Sequence, residues 1–110
     1  MRKVILDIET VSAANLPKVG ALNYARHPST FISIICWKYT DEDKIIHWIS
    51  PKYITRQNPN IVKLLEDVQN NKVKLICHNA SFERHLLNAE FGVKLRPSHF
   101  VDTMVLSNIH

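Results

Sequence analysis

Apolar and polar residues alternate over the first ten positions of the chain. The apolar phase consists of Val4, Leu6 and Ile8. Because successive side chains of a strand point to opposite faces, this period of two predicts a strand that ends near Thr10. Asp7 and Glu9 occupy the other phase, so both carboxylates are expected to project from the same face.

Two segments rich in β-branched and aromatic residues follow, 31–39 and 44–49, and the polar run 40–43 separates them. This arrangement predicts an antiparallel hairpin. The stretch 11–28 contains two prolines and a glycine, and it predicts a loop with a short helix at about 16–24.

A helix is predicted to open at Asn58 and Pro59, with Asn58 as the N-cap and Pro59 at the first helical position. Its apolar stripe at helical spacing comprises Ile61, Val62, Leu64, Leu65 and Val68. The pattern then predicts a short buried strand over 73–77 and a helix over 79–91. Gly92 suits a left-handed cap at the end of that helix. A further helix is predicted to start at Asp102.

This order of elements predicts an α/β fold, a mixed β-sheet with flanking helices. The 110 residues are sized for a single domain, 1–110, that removes roughly two-thirds of its unfolded surface from water. No apolar run approaches the roughly 20 residues that cross a bilayer, and the start of the chain lacks a signal-peptide pattern. We therefore expect no membrane association and a cytoplasmic location.

Charge and cysteine content refine this picture only slightly. The formal net charge of +4 and the pI near 9.2 are compatible with a polyanionic partner. Cys36 and Cys77 lie in separate strand-like segments without a CxxC partner, so reduced, buried thiols are expected. No histidine spacing indicates a zinc site.

Carboxylates are the candidate chemistry of this chain. Mg²⁺ and Mn²⁺ take oxygen ligands, and the closely spaced acids Asp7 and Glu9 repel each other unless a cation or water separates them. Glu83 falls in the first turn of the 79–91 helix, where either the helix dipole or a bound metal would account for it. By itself the Asp-x-Glu spacing is weak evidence.

The segments that carry these acids resemble the motifs of one protein family. The segment Leu6-Asp7-Ile8-Glu9-Thr10 resembles the first motif of the DEDD 3′-to-5′ exonucleases, and His78-Asn79-Ala80-Ser81-Phe82-Glu83 resembles the second. Segments 91–95 and 100–104 resemble those that follow the second motif in the proofreading domains of family A DNA polymerases. Segment 19–28 resembles a loop of the phage enzymes, which are the nearest likeness.

The resemblance implies an RNase H-like fold and two-metal hydrolysis of phosphodiester bonds at the 3′ ends of single-stranded DNA, with Mg²⁺ or Mn²⁺ as cofactor. By position, Asp7 would bridge the metals, Glu9 would hold the metal that activates water, and Glu83 would anchor the second metal. Thr10 and Asn79 would contact the terminal nucleotide. For Asn79, a helix N-cap is an equally good interpretation.

Other polar and aromatic residues have structural explanations. Asp102 is interpreted as the N-cap of the helix predicted to follow it and is left out of the site. Trp37, Trp48 and Phe31 could stack on bases, but their strand context favours core packing.

The family's third motif, which carries the fourth acid, has no counterpart in the 110 residues, so the resemblance implies a C-terminally truncated domain. Three interpretations follow. The chain is the front half of an exonuclease that a partner or second copy completes, a catalytically incomplete nucleic-acid-binding module, or a remnant that docks on a DNA polymerase chain or on itself. A phage-encoded protein would act in the host cytoplasm.

Overall fold

Five strands and three α-helices make up the part of the chain that the computed structural model describes, residues 1–55 and 59–103. The strands are β1 (Arg2–Val11), β2 (Phe31–Tyr39), β3 (Ile46–Ile49), β4 (Val73–Cys77) and β5 (Phe100–Asp102). The helices are α1 (Leu16–Arg26), α2 (Asn60–Gln69) and α3 (Ala80–Phe91), and a 3₁₀ turn spans Pro97–His99. No helix in this part of the chain is long and apolar enough to cross a bilayer.

The strands form one mixed sheet in the order β3-β2-β1-β4-β5. β2 pairs antiparallel with β1 on one side and with β3 on the other, and the β2–β3 pair confirms the predicted hairpin. β4 pairs parallel with both β1 and β5. The predicted α/β class is confirmed, and the topology is compatible with an RNase H-like fold. β1 and β4 lie side by side and parallel, so their carboxyl ends meet at one edge of the sheet, where open α/β sheets hold ligands.

The alternation along β1 sets the two faces of the sheet. Val4 and Leu6 are buried and Ile8 packs against the core, whereas Asp7 and Glu9 are exposed. Trp37 and Trp48 are almost fully buried, as their strand context predicts. Phe31 is only partly buried and lies outside the core cluster, so the prediction of core packing is wrong for this residue. Cys36 and Cys77 are free thiols, and only Cys77 is fully buried.

Helix α2 covers the buried face with most of its predicted stripe. Ile61, Leu64, Leu65 and Val68 are buried. Val62 was wrongly assigned to this stripe, because 56% of its surface is exposed. The helix begins at Asn60 with Pro59 at the N-cap position, one residue later than predicted, and Asn58 lies outside the described residues.

The sequence analysis did not predict the short strand β5 near the end of the chain. Asp102, from which a further helix was predicted to start, is the last residue of β5 and pairs with Cys77 of β4. Thr103 is helical, and residues 104–110 lie outside the described part of the chain. Backbone pairing with β4 therefore determines the conformation of Asp102.

Helix α3 ends at Gly92 in the left-handed conformation, with φ 65° and ψ 27°, as predicted. A Cβ at this position would meet no atom within 4 Å, so a substitution is strained only through the backbone. We predict that Gly92→Ala lowers the free energy of unfolding by about 1 kcal/mol. Gly92→Asn should have a smaller effect because asparagine tolerates this conformation. Urea denaturation measures both, and equal stability of Gly92→Ala and wild type would contradict the strain argument.

Candidate active site

The carboxyl end of β1 carries Asp7 and Glu9 on its exposed face. A bulge interrupts the pairing with β2 after Glu9, which pairs with Ile34, while Thr10 pairs with Ile32. Ser33, the extra residue, donates a hydrogen bond from Oγ to the Glu9 carbonyl oxygen at 3.0 Å. Because bulges bend a strand and redirect its side chains, this irregularity helps to set the direction of the two acids.

Glu83 lies in the first turn of α3 and is partly buried. Its Oε2 atom is buried without a hydrogen-bond partner among the described residues. Burial, and then the charges of Asp7 and Glu9, raise the pKa of Glu83 to about 8. An exposed acid that only complemented the helix dipole would be stabilised in its charged form. The helix-end explanation therefore does not account for Glu83.

Cys77 provides a second indication that the acids converge. Burial raises the pKa of its thiol, and the charges of Glu83, Asp102 and Asp7 raise it further. These carboxylates come from α3, β5 and β1, so three separate elements direct negative charge toward the end of β4. The thiol consequently stays protonated and is a poor nucleophile or metal ligand.

The chemistry of these donors fits a hard divalent cation. Bringing three carboxylates together in a partly desolvated place is unfavourable, and a cation that accepts oxygen ligands would offset their repulsion. The orphaned Oε2 of Glu83 is such a ligand atom without another use in the described structure. Within residues 1–55 and 59–103, however, no three His, Cys, Asp or Glu side chains already form a preassembled metal-binding group.

Thr10 is held at the end of β1 by a residue that the sequence analysis did not single out. Its Oγ1 atom lies 3.1 Å from the hydroxyl of Tyr24, close enough for a hydrogen bond. The Tyr24 ring packs on Phe82, one residue before Glu83, at 5.5 Å between centroids. Tyr24 thus links β1 to α3, and its place in the family-like loop 19–28 was its only sequence signal.

The side chain that caps the start of α3 comes from Asp102 and not from Asn79. Asn79 occupies the N-cap position, but its exposed side chain makes no capping hydrogen bond. The backbone N–H of Ala80 instead donates to Oδ2 of Asp102 at 3.1 Å. Asp102 therefore provides a side-chain cap to α3, and the Asn79 amide makes no capping hydrogen bond. The helix for which Asp102 was predicted to be the N-cap falls on residues beyond Thr103, outside the described residues.

This contact predicts that Asp102→Ala destabilises the protein. The substitution leaves the Ala80 N–H without its charged acceptor, a loss that we expect to lower the free energy of unfolding by about 1 kcal/mol. Asn79→Ala is the matched control and should change stability by less, because its side chain caps nothing. The two variants are compared by urea denaturation, and a larger loss in Asn79→Ala would show that the capping assignment is wrong.

Comparison with known proteins finds a similarity to one phage protein. Over 106 residues, 96% of the chain, the sequence is 27% identical to the DNA polymerase of Bacillus phage SP02. The chain spans only 15% of the length of that polymerase. No protein-family model matches the chain. Nearly all residues of the chain are thus similar to one segment of a phage DNA polymerase.

Proposed function

We propose that the chain supplies the metal-binding carboxylates of a 3′-to-5′ exonuclease that acts on DNA ends in association with DNA polymerisation. The observation that carries this proposal is the partly buried Glu83, whose Oε2 has no hydrogen-bond partner among the described residues. Burial, and then the charges of Asp7 and Glu9, raise its pKa. The resemblance to the DEDD motifs and the similarity to a phage DNA polymerase support it.

Asp7, Glu9 and Glu83 are the residues that would hold Mg²⁺ or Mn²⁺. Bound cations would supply charge stabilisation for the phosphodiester and a nucleophilic water at neutral pH. The chain itself contributes the rigidity of the site, because Asp7 and Glu9 stand on a central strand and Glu83 on a helix packed against the same sheet. Deprotonated Glu83 is needed for binding, so cation binding should release a proton below about pH 8.

Thr10 and Asn79 are proposed to contact the terminal nucleotide of the single-stranded 3′ end. Asn79 presents an exposed amide, with two donors and one acceptor oxygen, next to α3. The hydroxyl of Thr10 can accept or donate while it bonds with Tyr24, because a hydroxyl offers one donor and two acceptor positions. Tyr24 is a positioning residue in this scheme.

The family's fourth acid would come from outside these residues. We propose two sources for it, residues of a DNA polymerase and a second copy of this chain. Catalysis that depends on a second copy would show a rate per chain that rises with protein concentration, whereas a polymerase partner would raise the rate at fixed concentration of this chain.

Incubation with single-stranded DNA labelled at its 5′ end tests the proposal. With Mn²⁺, the chain at high concentration should produce a ladder of fragments that shorten from the 3′ end, and chelator should stop it. An Asp7→Ala/Glu9→Ala double variant should give no ladder. A ladder that persists in this variant would show that the assigned residues do not form the site.

A nucleic-acid-binding module without catalysis is the second candidate, and the net charge of +4 favours it. This module would retain labelled DNA in a gel-shift assay and leave its length unchanged in Mn²⁺. The same two samples, wild type with and without chelator, therefore separate the two candidates.

A further inference from the structure

A groove of about 520 Å³ lies between α1, α3 and the segment 93–96. Its charged lining residues are Arg26, Arg84, Lys94 and Arg96. Among the described residues no carboxylate lines it, and we refer to it as the basic groove. Four positive charges around one concave surface repel each other, so the fold gains no electrostatic stability from this arrangement by itself.

These cations are not engaged in the ion pairs that the described structure forms. Arg2 pairs with Asp41 and Glu42, and Lys63 pairs with Asp67. No described ion pair includes a cation of the basic groove. Their charge therefore remains available to an anion from outside the protein.

The basic groove is also held in shape. The Asn88 amide of α3 donates to the carbonyl oxygen of Leu95 at 3.2 Å, and its Oδ1 accepts from the Leu95 N–H at 2.8 Å. These two hydrogen bonds fix the segment that carries Lys94 and Arg96 against α3. A groove whose cations are already in place binds an anion with a smaller loss of conformational freedom.

The basic groove lies along the same helix, α3, that carries Glu83. Arg84 and Asn88 are four residues apart, so both face the groove along one stripe of α3. Glu83 lies next to Arg84 in the same helix. Arg84 also lines a second groove of about 250 Å³ with Ala80 and Asp102, at the start of α3. Arg84 thus connects the basic groove with the start of α3, where Asp102 lies.

We propose that the basic groove binds the phosphate backbone of a single DNA strand. Guanidinium groups match phosphate oxygens with two parallel hydrogen bonds, and ammonium groups add point charges. Among the described residues that line the groove there is no Phe, Tyr or Trp, and His85 contributes a single imidazole ring. Base stacking should therefore contribute little, and binding should be largely independent of sequence. The orientation of the strand, with its 3′ end toward Asp7 and Glu9, rests on the proposed function, whereas binding itself does not.

The test compares two double variants that remove the same charge. Arg26→Gln/Lys94→Gln takes two exposed cations from the groove, and Lys44→Gln/Lys72→Gln takes two exposed cations from elsewhere. Fluorescence polarisation measures binding of a labelled oligothymidine in chelator at several salt concentrations, after circular dichroism has established that each variant is folded. The chelator keeps the measurement separate from any metal-dependent cleavage.

The groove variant should bind about tenfold more weakly at low salt than the control. Its slope of log affinity against log salt should be smaller by about 1.4, since each phosphate contact to a single strand contributes about 0.7. Equal affinity and equal slope in the two variants, or a wild-type chain that does not bind, would overturn the proposal. Groove-dependent binding without metal-dependent shortening, both at high concentration of the chain and with the polymerase present, would instead support the groove and contradict the proposed function.

Discussion

Asp7→Asn is expected to reduce Mn²⁺-dependent shortening of single-stranded DNA by on the order of 100-fold or more. Loss of groups that merely orient metal ligands lowers metal affinity or activity by about 10- to 100-fold, and removal of a ligand itself should reach at least the upper end. Asparagine keeps the shape of the side chain and one acceptor oxygen, so the loss reports the missing charge. The initial rate of 3′-end shortening at saturating DNA measures the effect.

Asp43→Asn is the matched control for this experiment. Asp43 is an exposed carboxylate between β2 and β3, and its replacement changes the net charge by the same amount. We expect its rate to equal that of the wild type within twofold. Similar rates for Asp7→Asn and Asp43→Asn would contradict the assignment of Asp7 as a metal ligand.

Glu83→Gln is expected to stabilise the protein above pH 8. Below about pH 4.5 the carboxyl is protonated in both the folded and the unfolded chain, so the substitution has little effect there. Between about pH 4.5 and 8 the folded chain holds a proton that the unfolded chain has lost, and wild-type stability falls as pH rises. Above pH 8 the full penalty of a buried charge beside Asp7 and Glu9 remains in the wild type and is absent from the variant.

Asp7 and Glu9 are exposed and Glu83 is only partly buried, so solvent screens the repulsion among the three carboxylates. The expected gain is therefore roughly 2 kcal/mol rather than the full value of the pKa shift. Urea denaturation at pH 4, 6.5 and 8.5 should show the advantage of Glu83→Gln growing with pH. Glu66→Gln, on the exposed side of α2, is the control and should show no such trend. A pH-independent difference between Glu83→Gln and wild type would contradict the coupling of the three acids.

The sequence predicted those parts of the fold that depend on local pattern. Alternation in β1, the β-branched segments of the hairpin and the left-handed Gly92 each appear in the structure where the pattern indicates them. Helix α2 begins one residue later than the sequence predicts. Val62 is exposed rather than buried, because a helical period alone does not specify how wide the buried stripe is.

Contacts between distant segments explain what the sequence analysis missed. β5 is three residues long, too short to show a period, and its conformation follows from pairing with β4. The cap that Asp102 provides to α3 joins residues 22 positions apart. Local capping rules identified capping as the type of interaction at Asp102, but its contact with α3 depends on tertiary structure that those rules do not describe.

The residues of the candidate site are a prediction from the sequence, whereas their electrostatics could not be predicted from it. Asp7, Glu9 and Glu83 were found through spacing and family resemblance. The buried Oε2 of Glu83 and the link from Tyr24 to Thr10 arise from the packing of α1 and α3, which no local pattern encodes. These tertiary features explain why Glu83 behaves differently from an ordinary acid in a first helical turn.

Direct titration with Mn²⁺ at pH 8.5, followed by the electron paramagnetic resonance signal of the free ion, tests the central claim that three carboxylates form one cation site. The wild-type chain should lower the free Mn²⁺ signal until its binding site is saturated. With the Asp7→Asn/Glu9→Gln/Glu83→Gln variant, the free Mn²⁺ signal should stay close to that of buffer, lowered only by weak binding to surface groups. Equal Mn²⁺ binding by the wild type and the triple variant would contradict the account.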